Sequence, residues 1–444
     1  MKVVIIGGDA AGMSAASQAK RQKPDLDVIV FERGDYISYA ACGIPYLVGG
    51  AVLHLEDLLE LSPEEATGKR GIDLRLRHRV TAIDTTGRKV TVEADGKRFD
   101  ESYDRLLIAT GARGNTMGID TARYPSLFTM QDLYDADRIT RFISERAPKR
   151  VAVIGGGYIG LEAAESFAMR GIETVLAHRR PDLHRSFEKE ISDIILRKLE
   201  EKGVLLKMGF SFTGIEDRGG ALGIIGGGET IEADGAVLAV GALPNSELAA
   251  DAGIPLGANG AIRVNEYQET GVEAVYAAGD CATSMVSTFG LETHSPLALK
   301  ANKQGLIAGM NMAGMKEPFA GVLNSAVTKV FDLGVARTGL SFGEAEKLGL
   351  DPEKTLVKSR DRARYYPGSS PLTSLVIVGK KDRRLLGAQM AGELSAVKRI
   401  DVYAAAIFNR MTIDGLFDLD LAYAPPFSPV YDPVLLAARV ARKK

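Results

Sequence analysis

Among 444 residues only Cys42 and Cys281 carry thiols. Cys42 lies in SYAACGIPY (38–46), between small residues and a Gly-Ile-Pro turn that leave room for another group to approach. The chain holds no C-x-x-C or C-x4-C spacing, so an internal dithiol couple is not on offer. Either Cys42 is a small packing residue, or it does sulfur chemistry alone and borrows its second sulfur from a substrate. Attack on a disulfide needs the thiolate, so a working Cys42 requires a cation or a positive helix end that lowers its pKa below about 8.5. Cys281 follows Asp280 at the end of the apolar run VYAAGDCA (275–282) and reads as packing.

The second chemistry-bearing signal is a pair of glycine turns. Lys2–Ile6 is a β-branched run followed by GGDAAGMSAA, and Asp27–Phe31 then leads to Glu32. Strand, glycine turn, helix, strand and acid describe a dinucleotide fold. Unpaired N–H groups at the helix start suit a pyrophosphate, and the acid suits ribose hydroxyls. Gly7, Gly8 and Gly12 are present, with Asp9 where the middle glycine of G-x-G-x-x-G belongs. The pattern returns as VAVIGGGYIGLEAAE (151–165), where Gly155, Gly157 and Gly160 fill every motif position. The strand that follows, 174–177, ends in His178-Arg179-Arg180, which places His178 opposite Glu32. A basic cluster there attracts a 2′-phosphate where a carboxylate would repel it, so NADPH is expected over NADH. Two dinucleotide folds call for two dinucleotides, and hydride transfer from a nicotinamide implicates a flavin as the second. YDRLLIATGA (103–112) and VYAAGDCA are further buried strands, ending at Thr110-Gly111 and at Gly279-Asp280. Leu297–Met312 reads as a helix whose positive end would face the flavin ring.

Behind these residues stands an ordinary globular composition. Hydrophobic content of 45%, charged content of 25% and a net charge of −2 give no basic excess for nucleic acid. No segment approaches the roughly 20 apolar residues of a membrane span. MKVVIIGGDA reads as a buried strand entering a turn, not as an export signal, and two cysteines suit a reducing, cytoplasmic setting.

The ordered set GGDAAG, ATGA (109–112), GGGYIG (155–160), GALPN (241–245) and AGD (278–280) resembles the pyridine nucleotide–disulfide oxidoreductase flavoproteins over essentially the whole chain. The resemblance implies an α/β architecture: two Rossmann-like domains, for FAD and NAD(P), and an α+β C-terminal dimerisation domain. It implies the boundaries 1–112 and 246–322 for FAD, 113–245 for NAD(P), and 323–444 for a homodimer interface. Ser374–Gly379 and Arg384–Met390 fit the last as a strand pair, followed by the helix Val397–Asn409. FAD would be held by Gly7, Gly8, Ala11, Gly12, Glu32, Arg33, Thr110, Gly111, Gly279, Asp280 and Ala298. NADPH or NADH would be held by Gly155, Gly157, Tyr158, Ile159, Gly160, Glu162, His178, Arg179, Arg180 and Gly241. In this picture Glu162 bonds the nicotinamide carboxamide and Tyr158 stacks over the flavin. No metal is implied.

SYAACGIPY is most similar to the single-cysteine branch, the coenzyme A-disulfide reductases, CoA-persulfide reductases and NADH oxidases. AYAPPFSPVYDP (422–433) and ARYYPG (363–368) extend that similarity. They imply that Tyr423 and Tyr365, with Tyr366 as substitute for the latter, reach the partner subunit's site. Gln18, Arg21, Ser38, Arg70, Asn302 and Lys303 would form the rim for a thiol substrate such as coenzyme A. Ala41 stands where those reductases often have asparagine, which moves weight toward a persulfide. The rival is an NADH oxidase or peroxidase cycling through a Cys42 sulfenate. It is disfavoured because no histidine precedes His54. A flavin redox sensor without turnover is the remote alternative.

Overall fold

The computed structural model describes residues 1–183, 187–286 and 288–443. Each glycine turn opens a five-stranded parallel sheet. In the first, β1 (Lys2–Ile6) pairs with β2 (Asp27–Phe31) in the register Ile6 to Phe31, and α1 (Ala10–Gln22) crosses between them. The strand order is Val275–Ala277, Arg105–Ile108, β1, β2, Asp73–Arg75. A strand from beyond residue 270 therefore completes a sheet begun at residue 2. Apart from the edge strand Asp73–Arg75, these strands are largely buried and hydrophobic on both faces, as parallel strands covered on both sides must be.

After the short helix α2 (Ile44–Gly49), the plan repeats with β3 (Arg150–Ile154), α3 (Tyr158–Met169) and β4 (Glu173–His178). The second sheet runs Leu205–Met208, β4, β3, Gly235–Leu238, Leu127–Phe128. The two turns match bond for bond. Gly7 N–H donates to Phe31 O at 2.9 Å, and Gly155 N–H donates to Ala177 O at 2.8 Å. Glu32 and His178 therefore occupy equivalent places, as the alignment of the strands requires.

Helix α4 (Ala298–Met312) lies along α1. A Cβ on Gly305 would stand 2.2 Å from Ala11 O, and one on Gly309 would stand 2.4 Å from Ala15 O. These two glycines, one turn apart, let the helix backbones touch. The C-terminal part is a five-stranded antiparallel sheet that begins with β5 (Ala326–Val330). Pro371–Gly379 pairs with Leu385–Gly392 in it, longer strands than the expected pair. The expected helix Val397–Asn409 is split into a 3-10 turn, Ala396–Arg399, and an α-helix, Ile400–Phe408. Among the described residues no helix is long and apolar enough to cross a membrane.

Candidate active site

Cys42 occupies a 3-10 turn, Ala41–Gly43, that runs directly into α2. The first glycine turn holds the loop before Cys42, and the helix of the second motif holds α2 after it. On the first side, Ser38 N–H donates to Gly8 O at 3.0 Å and Tyr39 N–H donates to Asp9 Oδ1 at 3.1 Å. Ser38 takes a left-handed backbone, φ 42°, to make that approach. On the second side, Ser166 Oγ of α3 donates to Pro45 O at 2.6 Å, and Arg170 Nε donates to Val48 O at 3.0 Å. The thiol itself is exposed, whereas Cys281 is buried with its sulfur against Ile108 O and Ala278 O.

The electrostatics around Cys42 run against the expectation of an activating cation. Although its surface is open to solvent, desolvation by the surrounding protein pushes the thiol up, and the carboxylates of Glu162, Asp280 and Asp9 push it further. The chain on its own therefore favours the thiol over the thiolate. The three acids come from three separate parts of the sequence, and none was recognised as a neighbour of Cys42 from sequence.

The first glycine turn has the shape a dinucleotide needs. A Cβ on Gly7 would stand 2.2 Å from Ala109 O, and one on Gly12 would stand 1.9 Å from Gly7 O. Glu32 accepts from Gly8 N–H at 2.8 Å and from Gly34 N–H at 2.7 Å, one bond per carboxylate oxygen. Each oxygen keeps acceptor capacity for a ribose hydroxyl. Arg33 beside it is exposed. Asp280 Oδ1 is buried and has no hydrogen-bond partner. Such an orphan acceptor suits a polyol hydroxyl of a bound ligand. Lys300, in the first turn of α4 after Ala298, is also buried and donates to Gly279 O and Ala282 O at 2.8 and 2.9 Å. Sequence reading missed this lysine. Thr110 and Gly111 are stitched to the GALPN segment: Thr110 Oγ1 donates to Asn245 O at 2.6 Å, and Asn245 N–H donates to Gly111 O at 3.0 Å. Gly241 at the start of that segment has φ +115°, a conformation only glycine takes freely.

At the second turn, a Cβ on Gly155 would stand 2.3 Å from Ala239 O, and one on Gly160 would stand 1.8 Å from Gly155 O. Gly156 N–H donates to His178 Nδ1 at 3.1 Å, the bond that Glu32 makes in the first motif. A nitrogen that accepts carries no proton. Burial, with help from Arg179 and Arg180, lowers the His178 pKa, so His178 is neutral. This corrects its reading as part of a basic cluster: of the three residues, only Arg179 and Arg180 carry positive charge. Tyr158 packs edge-on against Phe187 with centroids 5.8 Å apart, and burial raises its phenol to about 12. Ile159 beside it is exposed. Glu162 is half-buried, and desolvation raises its pKa, while Thr328 Oγ1 of β5 donates to its Oε1 at 3.0 Å. Next to it, Glu165 pairs with Lys329 and accepts from Phe331 N–H at 2.9 Å. Thr328 and Lys329 carry no motif, and sequence reading missed them.

The rim residues form a polar strip along α1 and α4. Ser14 Oγ donates to Asn302 Oδ1 at 2.7 Å, Arg21 Nη1 to Gln18 Oε1 at 2.8 Å, and Arg70 Nη1 to Ser17 Oγ at 2.8 Å. Gln18 is buried, and Lys303 is exposed. Far along the chain, Ala363 N–H donates to Pro425 O at 3.1 Å and brings the two tyrosine segments together. The Tyr423 phenol is pushed up by desolvation and then by a hydrogen bond with Tyr365, which is 78% exposed.

Two family models cover these features. Residues 1–305 match the pyridine nucleotide-disulphide oxidoreductase model, and residues 325–433 match the dimerisation domain of that family. The chain belongs to the pyridine nucleotide-disulphide oxidoreductase family. It is 41% identical over 441 residues to an NAD(P)H sulfur oxidoreductase (CoA-dependent) of Pyrococcus abyssi, covering 99% of this chain and 98% of the relative. It is 33% identical over 430 residues to a coenzyme A disulfide reductase of Staphylococcus aureus, covering 96% of both. The solved structure of an NAD-dependent persulfide reductase from A. fulgidus superimposes with a TM-score of 0.96 at 36% identity, over 100% of this chain and 83% of that one. The chain is thus an NAD(P)H-dependent oxidoreductase of a FAD-dependent family, and its C-terminal part matches that family's dimerisation domain.

Proposed function

We propose that the protein reduces coenzyme A disulfide, or the persulfide or polysulfide of coenzyme A, through Cys42 acting alone. The observation that carries this reading is an exposed thiol in a turn anchored on the first glycine turn, leading into a helix that is tied to the helix of the second. The names of the relatives support the coenzyme A chemistry. FAD, when bound at the first glycine turn, supplies the two-electron link between a nicotinamide at the second turn and the Cys42 sulfur.

The residues divide the work as follows. Gly7, Gly8, Ala11, Gly12 and Glu32 cradle the FAD phosphates and ribose, Asp280 takes a hydroxyl, and Thr110 and Gly111 close the far side. Gly155, Gly157 and Gly160 seat the second dinucleotide, while Arg179 and Arg180 draw a 2′-phosphate. Glu162, held by Thr328, orients the carboxamide. Arg21, Arg70 and Lys303 meet the phosphates of coenzyme A. Cys42 Sγ attacks the substrate disulfide, the S–S bond breaks, and one thiolate departs with Cys42 left in a mixed disulfide. Two electrons and a proton then cleave that bond and release the second thiol, restoring Cys42. Tyr423 and Tyr365 from a second copy of the chain protonate the departing thiolate and line its exit. Phe427, Val430 and Tyr431, exposed at 74%, 69% and 47%, extend the surface on which that copy packs.

The test is Cys42→Ser. Reduction of the bound flavin by NADPH should persist while thiol release from coenzyme A disulfide is lost. Mass spectrometry of the wild type after one equivalent of disulfide should find the coenzyme A adduct on Cys42. Turnover that survives the substitution refutes the reading.

A further inference from the structure

The departure at position 9 from the first glycine motif has no part in the chemistry above. Asp9 stands at the N-cap of α1 with φ −95°, so a side chain is accepted there without strain. Its carboxylate is mostly buried, and Oδ1 accepts the Tyr39 N–H that anchors the Cys42 loop. The charges of Glu32, at the end of β2, and Asp280, beyond the 275–277 strand, act on it, and it acts in turn on the Cys42 thiol and the Tyr39 phenol of the loop. The cation that faces Asp280, Lys300, has its Nζ engaged by two backbone carbonyls. A pyrophosphate at this helix start adds negative charge to carboxylates that already repel one another.

We infer that FAD binds at this turn together with a proton, which is taken from solvent onto the Asp9 carboxyl. The inference rests on assigning FAD to the first glycine turn. Protonation removes the charge but not the tether, because Oδ1 of the neutral acid still accepts from Tyr39 and the new hydroxyl is a donor toward phosphate oxygen. The group is already poised for the change. Burial first, then Glu32 and Asp280, push Asp9 up to about 6 against the opposing N–H groups of Tyr39 and Ala10. In the flavin-free chain at pH 7 the carboxyl is therefore mostly ionised, and binding draws in up to one proton.

The experiment is titration of the flavin-stripped full chain with FAD by calorimetry at pH 7, in two buffers of different ionisation enthalpy. Its companion is the dissociation constant for FAD from pH 6 to 8. The wild type should take up a large fraction of one proton, and its affinity should fall by up to about tenfold per pH unit above about 6. Asp9→Asn mimics the neutral acid and keeps an acceptor for Tyr39, so it should take up correspondingly fewer protons and bind with a flat pH profile. If Asp9→Asn fails to fold, Asp9→Gly restores the residue the motif itself carries, and the same flattening is expected. Flavin binding by the wild type with no proton uptake, or uptake unchanged in the variant, overturns this inference alone. Absence of flavin binding at every pH overturns the assignment of the turn as well.

Discussion

Gly43, the residue after the thiol, offers a direct test of how the Cys42 turn is held. Its backbone, φ −81° and ψ −15°, is one that alanine adopts freely, so Gly43→Ala brings no conformational strain. Restricting the unfolded chain would by itself stabilise by about 0.4–1 kcal/mol. Sterics oppose this. The new Cβ would stand 2.3 Å from Leu58 Cδ2, where carbon contacts settle at about 3.5–4 Å. Leu58 is 4% exposed within the cluster of Ile44 and Leu47, and Ala40 N–H holds Leu58 O at 2.8 Å, so it has little room to retreat. Overpacking of this kind costs about 1–3 kcal/mol, which outweighs the gain from the unfolded chain. We expect Gly43→Ala to lower the urea midpoint at which bound flavin is released, and to change the rate at which iodoacetamide alkylates Cys42. Leu58→Ala alone should cost about 2–5 kcal/mol through the cavity it leaves. On that background Gly43→Ala should cost nothing or stabilise slightly, giving a coupling energy of about 1–3 kcal/mol. Additive effects, within about 0.5 kcal/mol, would show that Leu58 does not fix the turn and would refute the argument.

Glu162→Gln removes a carboxylate that holds the Cys42 thiol up, so the thiol pKa should fall and the alkylation rate at pH 7 should rise. A pH–rate profile shifted to higher pH would contradict this. Gly305→Ala drives a Cβ to 2.2 Å from backbone Ala11 O, which no rotamer can relieve; loss of flavin and a marked fall in thermal stability are expected. Arg179→Ala with Arg180→Ala should raise the KM for NADPH and leave that for NADH nearly unchanged. His178→Gln should alter the preference little, because the neutral ring acts as an acceptor for Gly156.

Sequence alone was enough where the physics is local. A β-branched run, a glycine turn and a helix start lie within about a dozen residues, and Gly7, Gly12, Gly155 and Gly160 make backbone contacts that no side chain would permit. The equivalence of Glu32 and His178 followed from strand register, but the protonation of His178 did not, since it depends on which atom meets Gly156 N–H. The charge around Cys42 was illegible for a different reason. Asp9, Glu162 and Asp280 are separated by 153 and 118 positions and converge only when both sheets are built. Thr328 and Lys329 reach Glu162 and Glu165 from across the chain, joining the second nucleotide helix to the first strand of the C-terminal sheet. One signal was available and went unread: Gly305 and Gly309 at one-turn spacing mark a face where a helix backbone touches its neighbour. The acidic surroundings have a chemical consequence. With no cation beside the sulfur among the groups that set its acidity, Cys42 rests as the thiol. Its activation must then come with what binds beside it, so nucleophilicity would rise only once the site is assembled.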